Sequence, residues 1–575
     1  MLPDIDPDKA HPRIAVADCE TDPFKKGRDT INPFLWGFFD GEEYREFATT
    51  QAFVGFIREF DGVLYAHNGG KFDWHFILPH LDPMQPLGII NGRLSRFMIG
   101  KCELRDSFNI LPVSLATWEK DKIDYDIFEE GLRDIPENRA EIRKYLESDC
   151  RYLFDMVTQF IARHGFHLTQ AGAAMKTWEA MTGITPPQST PEYYDFFHPF
   201  YYGGRVQCFQ RGVRDVPFQV ADINSAYPRA MLETHPLGTS YGAMRNLTVA
   251  QARAWIDRRG AGMVFVQCKA RSRGAFPYRA EDGALYFPDD NLPRDYHVTG
   301  WEFLAGVDTG TVDILAIPVI YVFHQGTTFR EYITHFYETR LKAKEVGDKA
   351  GDLFSKLLMN SLYGKFASNP RAYANYLNLP QALTAMIGQP ASTDTGVDLS
   401  AWGFSGLMGP WALAAKPLEN AELRFYNIAT AASITGYVRA FLWRTLCNTV
   451  NPIYCDTDSI AAEGFGEGVE FGKELGQWKH EGTFDRFAVG GRKLYAFRHA
   501  AGEEAGQYKV ASKGVRLDAA EIEEVAAGGV VTFEPDKPTF SIHHPPRIVK
   551  RRVRAVAKTM PTSEKEGKKN KSKKC

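Results

Sequence analysis

The sequence predicts a chain of several subdomains, each mixing strands with helices. Three observations carry that expectation. At 575 residues the chain exceeds one ordinary domain. Short apolar runs end in acids, as at 14–16 before Asp18 and Glu20, and at 218–221 before Asp222. These read as buried strands with carboxylates at their ends. Between them, residues 141–156 place Ile142, Leu146, Cys150 and Leu153 on one stripe, the period of a helix.

Composition bounds the possible functions. Hydrophobic residues are 44% and charged residues 24%, the balance of a soluble globular chain. The net charge of −3 announces no polyanionic partner, although the C-terminus is strongly basic. Aromatics at 13% suit large cores and equally suit surfaces that stack bases. Eight cysteines without CxxC pairs or His/Cys clusters argue against a disulfide framework and against structural zinc. A reducing, intracellular, cytoplasmic location is expected. No apolar run approaches the roughly 18 residues that span a bilayer, and the N-terminus lacks the apolar core of a secretory signal.

The chain is organised around NPIYCDTDSI, residues 451–460. Asp456 and Asp458 are separated by one residue, and in a strand they point to the same side unless Thr457 bends the chain. Two like charges this close repel unless a cation lies between them or water screens them. The pair is either an exposed hairpin or half of a metal site. Asp222, at the end of a strand in FQVADINSAYP, is the partner such a half-site lacks.

A second set of acids lies in the N-terminal third. Asp18 and Glu20 follow the first apolar run, Asp73 follows HNGGKF, and Tyr145 and Asp149 share a helix face four residues apart. Four clustered acids are unstable without cations. Two divalent ions about 4 Å apart would neutralise them and activate a water against a phosphodiester, with the Tyr145 hydroxyl orienting that water. Further on, Lys356, Asn360 and Tyr363 fall on one helix face, and Lys344 lies on the preceding helix. Lysines there would stabilise charge developing on a leaving pyrophosphate. Gly347 and Gly351 bracket the turn between the two helices.

In order and spacing these segments resemble the motifs of family B DNA polymerases. Asp18–x–Glu20, Asn68 to Phe72–Asp73, and Tyr145–x₃–Asp149 resemble the exonuclease motifs of the Tyr-type DEDD superfamily. Tyr201–Tyr202–Gly203–Gly204 is similar to the connector between exonuclease and polymerase modules. DINSAYP resembles motif A, departing at Ala226 where leucine is usual; KLLMNSLYG resembles motif B, and YCDTDS motif C. Long stretches between motifs A and B, and between B and C, resemble the TPR1 and TPR2 insertions of protein-primed family B DNA polymerases of the phage phi29 type.

The resemblance implies an RNase H-like 3′–5′ exonuclease domain followed by palm, fingers and thumb. It places the exonuclease at 1–168, palm at 169–240 and 425–515, TPR1 at 241–331, fingers at 332–367, TPR2 at 368–424, and thumb with basic tail at 516–575. It implies Mg²⁺ or Mn²⁺, two per site. Asp222, Asp458 and the Ile223 carbonyl would hold one set, with Asp456 in support; Asp18, Glu20, Asp73 and Asp149 would hold the other. Tyr227 would pack under the incoming sugar, and Lys344, Lys356, Asn360 and Tyr363 would meet the dNTP.

The same resemblance assigns DNA contacts. Thr21, Asn68, Phe72 and Ser107 would hold the frayed 3′ end, although Phe108 stands where the family has leucine after Ser107; Lys120, in a Lys-x₂-hydrophobic motif with Tyr125 nearby, would neutralise the scissile phosphate. Tyr202, Gly203, Gly204, Arg205, Thr435, Arg439, Lys493 and Tyr495 would hold primer or template, with Lys513 a further contact. Arg551, Arg552, Arg554 and Lys558 would lie on a thumb helix. Partners would be template-primer DNA, dNTPs and a terminal protein whose hydroxyl primes the first nucleotide, with the chain a monomer or a heterodimer with that protein. TPR2 would support strand displacement. Three rivals remain: a family B enzyme that uses nucleic-acid primers or none, a nuclease whose polymerase half is inert, and a non-enzymatic DNA-binding replication factor.

Overall fold

The computed structural model describes residues 12–24, 30–115, 123–187, 189–391, 396–419, 427–514, 516–534, 536–550 and 552–557. The chain divides into two compact units, one of residues 1–194, 331–426 and 536–551, the other of residues 195–330, 427–535 and 552–575.

The first unit is built on a ten-stranded sheet. Its middle is Ile14–Thr21, parallel to Gly62–Ala66, which is in turn parallel to Cys102–Asp106. Pro33–Phe39 and Tyr44–Phe47 continue the sheet antiparallel on one side. Buried apolar runs such as Ala15–Val16–Ala17 suit strands covered on both faces. The Pro136–His164 helix packs along Ile14–Thr21 and Pro33–Phe39. Proline opens its first turn, where no amide is missed, and Gly165 at φ +82° ends it. Gly37 lets the helix come close, because a β-carbon there would lie 2.9 Å from Cys150 Sγ.

On the other side the sheet runs through Arg93–Ile99 and Pro86–Ile90 into Ala374–Pro380, Trp411–Pro417 and Gly403–Met408. A segment from late in the chain thus completes the edge of the N-terminal sheet. Asn378 seals the join: it is fully buried, its amide nitrogen donates to the Asp82 carbonyl at 2.9 Å, and its oxygen accepts from the Gln85 amide at 3.0 Å. The Arg330–Val346 and Lys349–Phe366 helices lie antiparallel, tied by Arg340–Asp352 at 2.7 Å and by the Tyr332 hydroxyl on the Leu358 carbonyl at 3.0 Å. Only Gly347 sits in the turn, at φ +73°; Gly351 is already inside the second helix.

The second unit holds a seven-stranded antiparallel sheet with Gly212–Ile223 at its centre, flanked by Ser459–Phe465 and Trp478–Gly491. Its core is aromatic: Phe218, Tyr454, Phe484, Phe487 and Phe497 pack together. A four-stranded sheet spanning Tyr241–Leu247 to Val312–Phe323 carries the Val249–Arg259 and Gly300–Asp308 helices. The Ile428–Leu446 helix is buried on nearly every side.

Among the described residues of the C-terminal basic run, a strand stands where a thumb helix is expected. Arg554 lies in the Val553–Ala555 strand, paired with Val531–Phe533, and Arg552 immediately precedes that strand. The alternation of valine and arginine follows the period of a strand. Arg551 and Lys558 lie outside the described residues.

Candidate active sites

In the second unit, the hairpin of Thr449–Asp456 and Ser459–Phe465 bends at Thr457, which takes the left-handed φ of +61°. The Asp458 amide closes the bend on the Asp456 carbonyl at 2.6 Å. The returning strand pairs with Gly212–Ile223 in a register that sets Ser459 opposite Asp222. The Ile223 amide donates to the Asp458 carbonyl at 2.8 Å, so Asp222 and Asp458 share one sheet end.

Burial, then repulsion from Asp458 and Glu481, pushes the Asp222 carboxyl up to about 7. Burial, then repulsion from Asp456, pushes Asp458 up to about 6. Lys493 closes on Asp456, with Nζ 3.0 Å from Oδ1 and 2.9 Å from Oδ2. The Lys493 amide donates to the Tyr454 hydroxyl at 2.8 Å, and Tyr495 stacks on Phe497 at 4.4 Å. Tyr227 is half-buried on the short Ala226–Ala230 helix. Glu481, on the neighbouring strand, was not singled out in the sequence; an acid in a solvent-facing register carries no motif signal.

In the first unit, Asp18 and Glu20 alternate onto one face of Ile14–Thr21, opposite Gly37 and Leu35. Asp73 opens the Asp73–Ile77 helix and is 1% exposed, and Asp149 on the long helix is equally buried. Burial raises the Cys19 thiol, with Asp73 the next cause, and burial raises Cys150, with Asp18 the next cause. Cys19 of the Ile14–Thr21 strand hydrogen-bonds Asp73, and the helix that carries Asp149 packs along the same strand. Burial pushes the Asp73 carboxyl up to about 7, and its Oδ1 accepts no hydrogen bond. The Tyr145 and Tyr125 hydroxyls bond each other at 2.9 Å.

Among the described residues, no three His, Cys, Asp or Glu side chains gather as a metal-holding group. The donor chemistry nevertheless fits hard divalent cations. Asp73 is buried and Asp222 and Asp458 are half-buried, and desolvation holds all three carboxyls above their usual range, an environment that suits a hard divalent cation.

The expected DNA contacts divide. Phe72 is half-buried among Phe24, Phe76 and Phe540, and Tyr125 is exposed. Asn68 takes φ +62° and accepts from Arg93 Nη1 at 2.7 Å; Arg93 also reaches Asp106 at 2.8 Å and was missed in the sequence. Thr21 is buried, its hydroxyl donating to the Asp22 carbonyl at 3.3 Å. Lys120 lies outside the described residues. Lys344, Lys356 and Asn360 are exposed, and Tyr363 is half-buried on the same helix as Lys356 and Asn360.

Several expected contacts are turned inward instead. Ser107 is fully buried, donating to the Ala66 carbonyl at 3.2 Å and bonded to His67 at 3.0 Å. Arg205 is fully buried, donating to the Gly274 carbonyl at 2.8 Å and lying 4.4 Å over Trp443. Tyr202 is 5% exposed, whereas Gly203 is exposed and Gly204 half-exposed. Thr435 and Arg439 are each 2% exposed. Arg439 pairs with Glu302 at 2.8 Å. Packing has taken these side chains into the protein interior, away from solvent.

Residues 118–378 match the family model for DNA polymerase type B, organellar and viral. The fold is that of phi29 DNA polymerase. The structure of that enzyme with primer-template DNA and incoming nucleotides superposes with a TM-score of 0.71 at 17% identity, covering 95% of this chain and 100% of that one. The DNA polymerase of Bacillus phage Nf is 28% identical over 48% of this chain and 44% of its own. The DNA-directed DNA polymerase of Enterobacteria phage PRD1 is 33% identical over 95% of this chain and 99% of its own. With this fold and these acids, the chain belongs to the organellar and viral type B DNA polymerases. It is a DNA-directed DNA polymerase, related over nearly its whole length to the enzyme of a phage.

Proposed function

We propose that this polymerase extends DNA at Asp222, Asp456 and Asp458, and trims 3′ ends at a separate site of Asp18, Glu20, Asp73 and Asp149. The pairing of the Asp222 strand with the 456–458 turn carries the first assignment. Asp222, Asp458 and the Ile223 carbonyl would hold Mg²⁺ or Mn²⁺, as would the four N-terminal acids. When bound, two such cations stabilise negative charge on the attacking and leaving oxygens.

The chain's own groups do the rest. Asp222 and Asp458 would give up their protons to bind a cation, and Lys493 pairs with Asp456 at 2.9 Å. Lys344, Lys356, Asn360 and Tyr363 would bind the incoming nucleotide, whose phosphates lysines attract. Tyr227 would exclude a ribose hydroxyl. In the trimming site the Tyr145 hydroxyl would orient the attacking water, with Tyr125 fixing that hydroxyl. Phe72 and Asn68 would hold the unpaired 3′ end.

The first nucleotide would be joined to a hydroxyl of a terminal protein, and elongation would displace the non-template strand. Full-length relationship to the PRD1 polymerase and the phi29-type fold support that reading. The test is incubation with template, dNTPs and a candidate terminal protein, with no oligonucleotide. A protein–nucleotide adduct is expected; extension only from oligonucleotide primers would reject protein priming. Asp458→Ala should abolish extension and spare trimming, and Asp18→Ala with Glu20→Ala should do the reverse.

A further inference from the structure

The side chains of Arg205 and Arg439 are buried, and both fix the connector at 202–205. We propose that this connector is a brace that positions the 456–458 turn, latched by the buried Glu302–Arg439 pair. The inference rests on the reading that Asp222, Asp456 and Asp458 form the polymerising site.

The brace touches the turn directly. The Thr457 amide donates to the Arg205 carbonyl at 2.6 Å, and the strand continues with Val206 opposite Asp456 and Gln207 opposite Cys455. Thr457 holds a left-handed φ of +61°, a strained choice for a β-branched residue, so something must over-determine it. Gly204 supplies part of that constraint. A β-carbon at Gly204 would lie 2.6 Å from Thr457 Cγ2 and Oγ1 and 2.9 Å from its Cβ, so the connector and the turn are in van der Waals register only because that position is glycine.

The brace is anchored at both ends. At one end Arg205, whose carbonyl holds the turn, is fixed by its own guanidinium: Nη1 reaches the Gly274 carbonyl at 2.8 Å, Nη2 bonds Gln207 Oε1, and the plane lies over Phe287 and Trp443 at 4.2 and 4.4 Å. At the other end Arg439 Nη1 donates to the carbonyls of both Tyr202 and Gly203, the latter at 3.0 Å. Its Nε donates to Glu302 Oε1 at 2.8 Å, and both side chains are 2% exposed. Glu302 is aimed in turn by Thr299, whose hydroxyl and amide donate to Oε2 at 2.8 and 3.0 Å.

A buried ion pair is a weak device for stability, since well-packed apolar residues of similar volume often serve as well. What an arginine adds here is directed donors to two successive main-chain carbonyls. Glu302 and Arg439 are therefore positioning residues. They hold the connector backbone, which holds Thr457, which sets the approach of Asp456 and Asp458 to Asp222.

The test uses the full chain on primer-template DNA and two independent changes. Glu302→Met with Arg439→Met removes the latch without stranding a charge, and Gly204→Ala pushes on the turn. Each is expected to lower kcat for extension by about a hundredfold, the cost of a misplacement near 1 Å. KM for dNTP should stay within about twofold of the parent value on the same argument, and the Mg²⁺ midpoint should rise. Adding Thr457→Gly to Gly204→Ala removes all three clashing atoms and should restore most of the lost rate. The brace is overturned if the double methionine variant melts like the parent and extends at the parent rate. It is equally overturned if Gly204→Ala extends normally, or if Thr457→Gly gives no rescue; should the methionine variant fail to fold, the glycine pair decides alone. Asp458→Ala separates the two levels, because undiminished extension by that variant would refute the site itself rather than the brace.

Discussion

The main-chain bond from the Ile223 amide to the Asp458 carbonyl, at 2.8 Å, joins the ends of two strands that carry acids from opposite halves of the sequence. Because the bond uses backbone atoms, side-chain changes leave the framework standing. Asp222→Ala and Asp458→Ala should therefore each fold like the parent while extension falls by about a thousandfold or more, as expected when charge stabilisation at the reacting phosphate is lost. Single-turnover extension with circular dichroism melts on the same samples checks this.

Proton and cation should compete at that site. The Asp222 and Asp458 carboxyls are raised to about 7 and about 6, so without a cation the folded chain keeps protons that the unfolded chain releases near pH 4. Their contribution to stability consequently falls as pH rises from about 4 towards 7. A bound divalent ion removes that penalty. The rise in Tm on adding Mg²⁺ should be larger at pH 8 than at pH 5.5, and Asp458→Asn should shrink the difference. Equal rises at both pH values would contradict the arrangement.

Two histidines, His235 buried and His164 half-buried, work in the other direction. Burial lowers His235, bonded to Ser433 and the Ala230 carbonyl at 2.8 Å each, to about 4, and burial lowers His164 to about 4. Unfolded histidine titrates near 6.5, so between about 6.5 and 4 the unfolded chain binds more protons and stability falls as pH falls. At pH 5 each should have lost about 2 kcal/mol relative to pH 8. Urea midpoints at the two pH values measure the sum, and His235→Asn should flatten the slope.

The Tyr125–Tyr145 hydroxyl pair should matter for trimming alone. Tyr145→Phe removes the group proposed to orient water and should slow single-strand trimming by about tenfold to a hundredfold. Tyr125→Phe removes only its support and should cost less. Rapid-quench trimming of a labelled oligonucleotide, with extension on the same preparations as the reference, distinguishes the two.

Carboxylates were the legible part of this chain. Acids one or three residues from apolar strand or helix patterns are costly without a purpose, and the sheet registers bring Asp222 to Asp458, as helix packing brings Asp149 to the Asp18 strand. Arginines were not legible. Arg205 and Arg439 stand at motif positions, but spacing carries no information on whether a guanidinium turns outward to phosphate or inward to carbonyls. Glu302 had no local signal, because its partner is 137 residues away. The C-terminal strand was obscured by basic residues that suggest a charged helix, although Val553 and Ala555 keep the period of a strand.

The join between Ala374–Pro380 and Pro86–Ile90 bears on how the molecule is made. During synthesis the N-terminal strands leave the ribosome with one border unsatisfied, and the segment that covers it is translated only after the intervening helices and all of residues 195–330 of the second unit. Until then that border is open to mispairing with any exposed strand, including one from a neighbouring nascent chain. A truncation ending before residue 374 should accordingly be prone to aggregate, and supplying the missing hairpin as a separate peptide is a direct way to make it soluble.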